Sequence, residues 1–400
     1  MIDKKIKLNR DCMGCHGCLN ICPENCISME EDKEGFLYPK VDYGICINCN
    51  HCINVCPIIN KTLVENNPSA YACINNNEEI RLASSSGGIF TLVAEYVIDK
   101  GGIVFGACFN NRFELEHDYV KTRKELSKLR GSKYLQSKVG NSYNKAKYFL
   151  DSGTKVLFTG TPCQIEGFKA FLGRKKYDNL ITIDIICHGV PSPKVWRKYV
   201  EFRERKADSL TQRISFRLKN EGWKRYSVSF SFKNNTEYRR NLNEDLYMKA
   251  FLKDVCLRPS CYDCEFKTLN RQSDITLADF WGIGNILPEM DDDKGTSLVF
   301  INSEKGRKIF NSISGDMKFK EVDIYEAVKY NSAAIKSVQK NPNREKFFDD
   351  LYSLEFDELV KKYCADSLKV RIKNKAKAIL IGILSKIGML GVAKKIVGRN

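Results

Sequence analysis

From residue 71 onward, short runs of apolar and β-branched residues alternate with segments whose apolar positions recur at helical spacing. The pattern predicts strands over 102–109, 155–159 and 180–187, and helices over 89–96, 122–129 and 164–171. That rhythm points to an α/β sheet with much parallel character. Residues 209–232 switch to strict alternation, as in Tyr-Ser-Val-Ser-Phe-Ser-Phe from Tyr226, which predicts an antiparallel hairpin and an α+β second half. Residues 60–69, polar and containing Asn66-Asn67-Pro68, read as a linker. The expected division is a small cysteine-rich module at 1–66, the two parts of one larger domain at 67–180 and 181–345, and a helical basic tail at 346–400.

The small module is an internal repeat with an offset of 34 residues, running from Cys12 to Pro23 and from Cys46 to Pro57. Each copy reads Cys-x2-Cys-x2-Cys-x3-Cys-Pro, in which three close thiolates wrap one cubane while the fourth reaches the neighbouring one. Cross-ligation then assigns Cys12, Cys15, Cys18 and Cys56 to one 4Fe-4S cluster, and Cys46, Cys49, Cys52 and Cys22 to the other. Paired zinc knuckles would leave the third and fourth cysteine of each run unexplained. Cys26 has no slot in this scheme and reads as a buried apolar thiol.

Composition narrows the classes. The chain has 400 residues, 43% of them hydrophobic and 28% charged, which excludes a disordered or fibrous protein. Of its 17 cysteines, nine precede residue 57, and the N-terminal segment offers no apolar signal stretch. A reducing, cytoplasmic setting and metal binding are therefore expected ahead of export and disulfides. The formal charge of +16 suggests an acidic partner. Three thiolate-ligated cubanes would reduce it to about +10. No nucleic-acid-binding signature accompanies the charge, so nucleic acid is not expected as a partner. Basic residues concentrate in 368–400 around the apolar run 378–384, too short and too interrupted to span a bilayer. The tail reads either as an amphipathic helix in peripheral contact with anionic lipid at the inner membrane face, or as a helix docked on protein.

A second cysteine set lies downstream. Cys261-Tyr-Asp-Cys264 is a two-thiolate hook that needs two further ligands. Cys163 follows the 155–159 strand and Cys187 ends the 180–187 strand, both where a parallel sheet opens its carboxyl-end crevice. Cys256 competes for a slot, because Cys256-x4-Cys261-x2-Cys264 matches plant-type cluster spacing. Spacing alone leaves a third cluster, a zinc site and unligated thiols all open. Cys73, Cys108 and Cys364 read as ordinary core or surface thiols.

Taken together, Ser84-Ser85-Ser86-Gly87-Gly88, Gly131-Ser132-Lys133-Tyr134, Thr161-Pro162-Cys163-Gln164, Cys187-His188-Gly189, Cys261-x2-Cys264 and Leu277-Ala278-Asp279-Phe280-Trp281-Gly282 resemble the coenzyme F420 hydrogenase/dehydrogenase beta subunit family of iron-sulfur flavoproteins, here fused to a dicluster ferredoxin domain. The resemblance implies an FAD, and a third 4Fe-4S cluster on Cys163, Cys187, Cys261 and Cys264, with Cys256 in reserve. It also implies a flavin site lined by Ser86, Gly87, Gly88 and the Gly131, Ser132, Lys133, Tyr134 segment, with Thr161, Gln164, Asp279 and Trp281 as further cofactor contacts. Physically, Gly87 and Gly88 open an apolar helix whose N-H groups can meet a pyrophosphate, although Ser-Gly-Gly is also an ordinary cap. Lys133 can offset phosphate charge or polarise the flavin ring, Tyr134 can stack, and His188 is a candidate proton donor.

The expected activity is that of an iron-sulfur flavoprotein oxidoreductase. It passes electrons between a hydride-carrying coenzyme, deazaflavin F420 or nicotinamide, and ferredoxin-type carriers, another redox protein or a reducible small-molecule substrate. The contrasting readings are a non-catalytic electron-transfer ferredoxin subunit and a reductase serving cell-surface polysaccharide biosynthesis.

Overall fold

The computed structural model describes residues 1–365 and 376. The basic tail singled out above lies outside them. The first 60 residues form the small module, with a hairpin of β1 (Ile27–Glu31) and β2 (Leu37–Val41) and four short helices, Ile2–Lys5, Leu8–Asp11, Gly17–Ile21 and His51–Asn54. The 34-residue repeat is visible in the backbone. Gly14 and Asn48 both take positive φ (65° and 57°), as do His16 and Asn50 (61° and 62°) just before the last two helices. Glycine, or asparagine with its short polar side chain, is suited to that left-handed turn.

The larger region is built on an eight-stranded mixed sheet. Its strands are β3 (Ser69–Asn75), β4 (Ile103–Phe109), β5 (Leu115–Val120), β6 (Val156–Thr159), β7 (Leu180–Ile185), β11 (Ile275–Asp279), β12 (Ser297–Ile301) and β13 (Met317–Val322), in spatial order β13-β3-β12-β11-β7-β6-β4-β5. The four central strands β11, β7, β6 and β4 are parallel, and the outer pairings are antiparallel. The expected α/β class with an α+β element is therefore the observed one. Successive residues of β4 and β6 serve opposite faces. Val104 and Leu157 join a cluster with the Ile89–Ile98 and Glu304–Ile313 helices. Phe105, Val156 and Phe158 join another with the Ser142–Asp151 and Pro162–Phe171 helices.

The predicted hairpin is present as β8 (Thr211–Leu218) and β9 (Ser227–Phe232), extended by β10 (Glu237–Asn241) into a three-stranded sheet. Its apolar face packs with the Pro193–Ala207, Leu246–Leu252 and Phe356–Tyr363 helices around Trp196, Tyr199, Phe230 and Tyr247. Two predicted elements differ in extent. The 122–129 helix is a 3-10 turn, Arg123–Glu125, running into Leu126–Leu129, and β7 stops at Ile185, leaving Cys187 in the loop beyond. Residues 67–180 and 181–345 contribute strands to the same sheet, and Leu180 is itself the first residue of β7. Among the described residues no helix is long and apolar enough to cross a membrane.

The small module is bolted to the larger region at both ends. At its hairpin tip, Arg344 grips Glu34 bidentately (2.9 and 2.5 Å) and Arg197 grips Glu31 (2.6 and 2.8 Å). Around its Gly17–Ile21 helix, Asn20 donates to the Gly140 carbonyl at 2.8 Å, and Asn144 donates back to Asn20 at 3.0 Å.

Candidate redox site

In the small module, Cys12, Cys15, Cys18 and Cys56 line one cavity and Cys22, Cys46, Cys49 and Cys52 another. The crossed grouping arises because the fourth cysteine of each run leaves its helix toward the neighbouring copy. Cys26 is buried, as an apolar thiol would be, but it lines the second cavity with its Sγ 3.3 Å from that of Cys22.

In the larger region, the crevice at the carboxyl ends of β6 and β7 brings Cys163 and Cys187 together with Cys261 and Cys264 around a third cavity. Cys163 sits in the first turn of the Pro162–Phe171 helix. That turn is fixed by Gln164, whose Oε1 accepts from the Thr161 N-H at 2.9 Å, while the Thr161 hydroxyl lies 3.1 Å from the Cys163 sulfur. Thr161 and Gln164, both expected as cofactor contacts, thus position a cysteine. Cys261 lies within the short turn Pro259–Asp263 and Cys264 directly follows it, and the Val190 N-H points at the Cys261 sulfur (3.4 Å). Burial pushes the Cys163 thiol well up and that of Cys261 up to about 12, so a metal bound here would have to displace protons.

The surroundings suit an anion. Lys267 donates to the Cys187 and Ala333 carbonyls and lines the cavity. Arg271, 3% exposed, lines it too, and its Nε and Nη1 have no hydrogen-bond partner among the described residues. A buried guanidinium with unmet donors fits a negatively charged cubane. Among the described residues, no three His, Cys, Asp or Glu side chains gather closely enough around a point to hold a single ion. Cys256 takes no part in the cavity. It is fully buried in the aromatic core beside Cys364, which corrects its standing as a reserve ligand. Cys73, Cys108 and Cys364 are buried thiols.

The residues expected around a flavin converge on a group that the sequence reading missed. Arg217, from β8, donates to Tyr134 Oη (2.9 Å), to the Ser85 carbonyl (3.0 Å) and bidentately to Asp279 (2.8 and 3.1 Å). Trp281 stacks on Trp223 with centroids 4.9 Å apart and planes at 5°, and Trp223 Nε1 donates to Asp279. Ser132 N-H donates to Ser85 Oγ, which joins the two predicted loops. Gly131, the first residue of its loop, is exposed, with Ser85 Oγ 4.0 Å from where a Cβ would stand.

Other groups in these loops are already engaged. Ser86 Oγ donates to the Thr296 carbonyl, and Gly87 N-H donates to Ser297 Oγ. Gly87 also packs its Cα where a side chain would collide with the Cys73 carbonyl. Gly88, at φ 86°, starts the Ile89–Ile98 helix. The Lys133 ammonium caps the Leu126–Leu129 helix through the carbonyls of Leu129, Arg130 and Gly131, and burial lowers it to about 8. His188 meets Asp254 at 2.6 Å and presses its ring against Phe251, which stacks on Tyr134 at 5.0 Å. Phe251 therefore stands between the flavin-side residues and the loop that carries Cys187.

Comparison with known families matches three stretches. Residues 70–142 match the N-terminal region, and residues 153–326 the C-terminal region, of the coenzyme F420 hydrogenase/dehydrogenase beta subunit, while residues 11–58 match the 4Fe-4S dicluster domain. The chain belongs to the coenzyme F420 hydrogenase/dehydrogenase beta subunit family. It carries an N-terminal 4Fe-4S dicluster domain and is an iron-sulfur protein of oxidoreductase-type electron transfer. No curated protein matches it. Among solved structures, a chain of the F420-reducing NiFe hydrogenase complex from Methanosarcina barkeri is similar, at 19% identity and a TM-score of 0.45, covering 75% of this chain and 92% of that one.

Two predictions concern how this beta subunit family chain supports its cysteines. An added Cβ at Gly167 would stand 2.8 Å from Cys15 Cβ and 2.9 Å from its sulfur. Gly167→Ala is expected to push Cys15 aside and destabilise the protein by about 1–3 kcal/mol. Anaerobic iron retention after desalting checks the first effect and urea unfolding the second.

His117 is buried, donates Nε2-H to the Thr159 carbonyl (3.0 Å) and accepts at Nδ1 from Ser137 (2.9 Å), which in turn accepts from Gln164. Burial lowers it from 6.5 to about 4. Between those values the unfolded chain binds a proton that the folded one refuses, so stability falls as pH drops through this window. The urea midpoint of the unaltered protein should decline more steeply over that range than that of His117→Gln.

Proposed function

We propose that this chain passes electrons between a hydride-carrying coenzyme, deazaflavin or nicotinamide, and a ferredoxin-type protein carrier or reducible substrate, using FAD and three 4Fe-4S clusters. FAD exchanges an electron pair with a hydride carrier and single electrons with iron-sulfur centres. The observation that carries the reading is the gathering of Cys163, Cys187, Cys261 and Cys264 around one cavity whose wall is shared, at Met13, with that of Cys12, Cys15, Cys18 and Cys56.

The chain's own groups have distinct parts. The four thiolates of each cavity hold a cubane, with Arg271 and Lys267 balancing charge in the large region. Tyr134, Asp279, Trp281 and the Ser85-Ser86 turn, organised by Arg217, hold the flavin, and Phe251 keeps the space toward Cys187 free of water. His188, hydrogen-bonded to Asp254, packs against Phe251, which itself stacks on Tyr134, and in this reading serves as the proton donor.

Anaerobic purification with iron, sulfide and flavin quantitation tests the reading. It expects about 12 iron atoms per chain, four per cubane, and one FAD. About 8 iron atoms without flavin would favour a non-catalytic carrier instead. Bleaching by reduced deazaflavin, NADH, NADPH or reduced ferredoxin then identifies the donor.

A further inference from the structure

Arg258 is fully buried, and what it faces is unusual. Of the other buried arginines, Arg81, Arg217 and Arg344 each meet a carboxylate at hydrogen-bond distance, Arg271 has Asp184 3.8 Å away, and Arg203 lies over the rings of Tyr199, Phe202 and Tyr238. Arg258 meets the carbonyls of Cys12 (Nε, 2.8 Å) and Leu37 (Nη2, 3.0 Å) and the amide oxygen of Gln136 (Nη1, 2.9 Å), with the Tyr38 ring 4.3 Å away. Asp32, which feels its charge at longer range, spends its own carboxylate on the Glu34 and Phe36 N-H groups. A buried cation given only neutral acceptors is costly unless a negative charge completes the site.

Its position shows where that charge belongs. Arg258 lines the cavity of Cys163, Cys187, Cys261 and Cys264. On its other side it touches Gly14, at whose Cβ position Nη1 would be 3.0 Å away, and Gly14 lines the cavity of Cys12, Cys15, Cys18 and Cys56. Met13, beside Gly14, lines both cavities. The remaining cavity, that of Cys22, Cys46, Cys49 and Cys52, does not include Arg258.

We propose that Arg258 is the shared counter-cation of the large-region cluster and the adjacent ferredoxin cluster, and that it raises the reduction potential of both. The inference rests on the three-cluster reading above. One electron taken up by a cubane adds one negative charge to it, and a fixed positive charge in a low-dielectric wall favours that form. Arg258 is a positioning and tuning residue here and contacts no substrate.

The test is a dye-mediated potentiometric titration of the iron-loaded full chain with dithionite, read by electron paramagnetic resonance. In Arg258→Gln, which keeps a donor for the carbonyls, the reduction equilibrium of two centres should weaken at least tenfold, which is about 59 mV per tenfold. The distal centre should stay put and serve as the internal standard. Arg258→Lys, which keeps the charge but loses the fork, should lie nearer the unaltered protein. Gln136→Glu leaves Arg258 in place and sets an isosteric carboxylate against it, so it should lower the same two midpoints even if Arg258→Gln fails to fold. Unmoved midpoints in both Arg258→Gln and Gln136→Glu, equal shifts in all three centres, or identical shifts with Lys and Gln would overturn the proposal. About 8 iron atoms in the unaltered chain would remove the three-cluster reading and this inference with it. About 12 with unmoved midpoints would remove this inference alone.

Discussion

Cys163→Ala is expected to lose about four of twelve iron atoms per chain while keeping both ferredoxin centres. The alanine leaves Cys187, Cys261 and Cys264 around the cavity, and three thiols cannot complete a four-thiolate cubane. The helix that bears residue 163 is held by Thr161 and Gln164 and by its packing through Phe168, so the fold survives the change. A hydride donor should still reduce the flavin, but electrons should no longer reach the dicluster domain, a loss readable by stopped-flow absorbance of the ferredoxin centres. Cys256→Ala is the matched control. It removes a core thiol that does not line the cavity and should leave iron unchanged, at a cost of about 1 kcal/mol in urea unfolding. Full iron retention in Cys163→Ala would remove this residue from the ligand set.

Arg217→Met should abolish flavin retention and destabilise the chain by about 3 kcal/mol, the range found when one partner of a buried ion pair is removed. Asp279 would keep only the Trp223 N-H at 3.2 Å, and Tyr134 Oη and the Ser85 carbonyl would lose the donor that joins them. Arg217→Lys should rescue little, because one ammonium cannot reproduce a planar fork aimed at three acceptors. Flavin released on gel filtration and the urea midpoint measure the two effects separately. A variant that holds flavin as tightly as the unaltered protein would place the cofactor elsewhere.

What the sequence revealed and what it hid follow from the range of the forces involved. The crossed grouping in the dicluster domain was readable because it depends on spacing within 12 residues, repeated at an offset of 34. The strands that precede Cys163 and Cys187 were readable for the same local reason. That Cys256 would turn into the core was not, since its spacing to Cys261 and Cys264 suits a ligand, and only tertiary packing, which buries it fully in the cluster with Tyr247, takes it out of the cavity. Arg217 was hidden in an alternating strand, where a lone arginine between Phe216 and Leu218 looks like a solvent-facing position. A register shift between Ser215 and Leu218 turns it inward instead. Lys133 looked like a cofactor contact, yet the free carbonyls of a four-residue helix claimed its ammonium first. Arg258 gave no signal at all, because its acceptors come from residues more than 120 positions away.

The double fastening of the small module, by arginines at its hairpin tip and by Asn20 and Asn144 at its Gly17–Ile21 helix, has a consequence for how charge can travel. Many multi-centre proteins rely on a tethered carrier that swings between docking positions, so its throughput follows the tumbling of the arm. Two anchors on opposite sides leave no such arm here. In the proposed reading, charge moving between the cysteine sites would cross a fixed gap beside Met13, as along a wire and not by a shuttle.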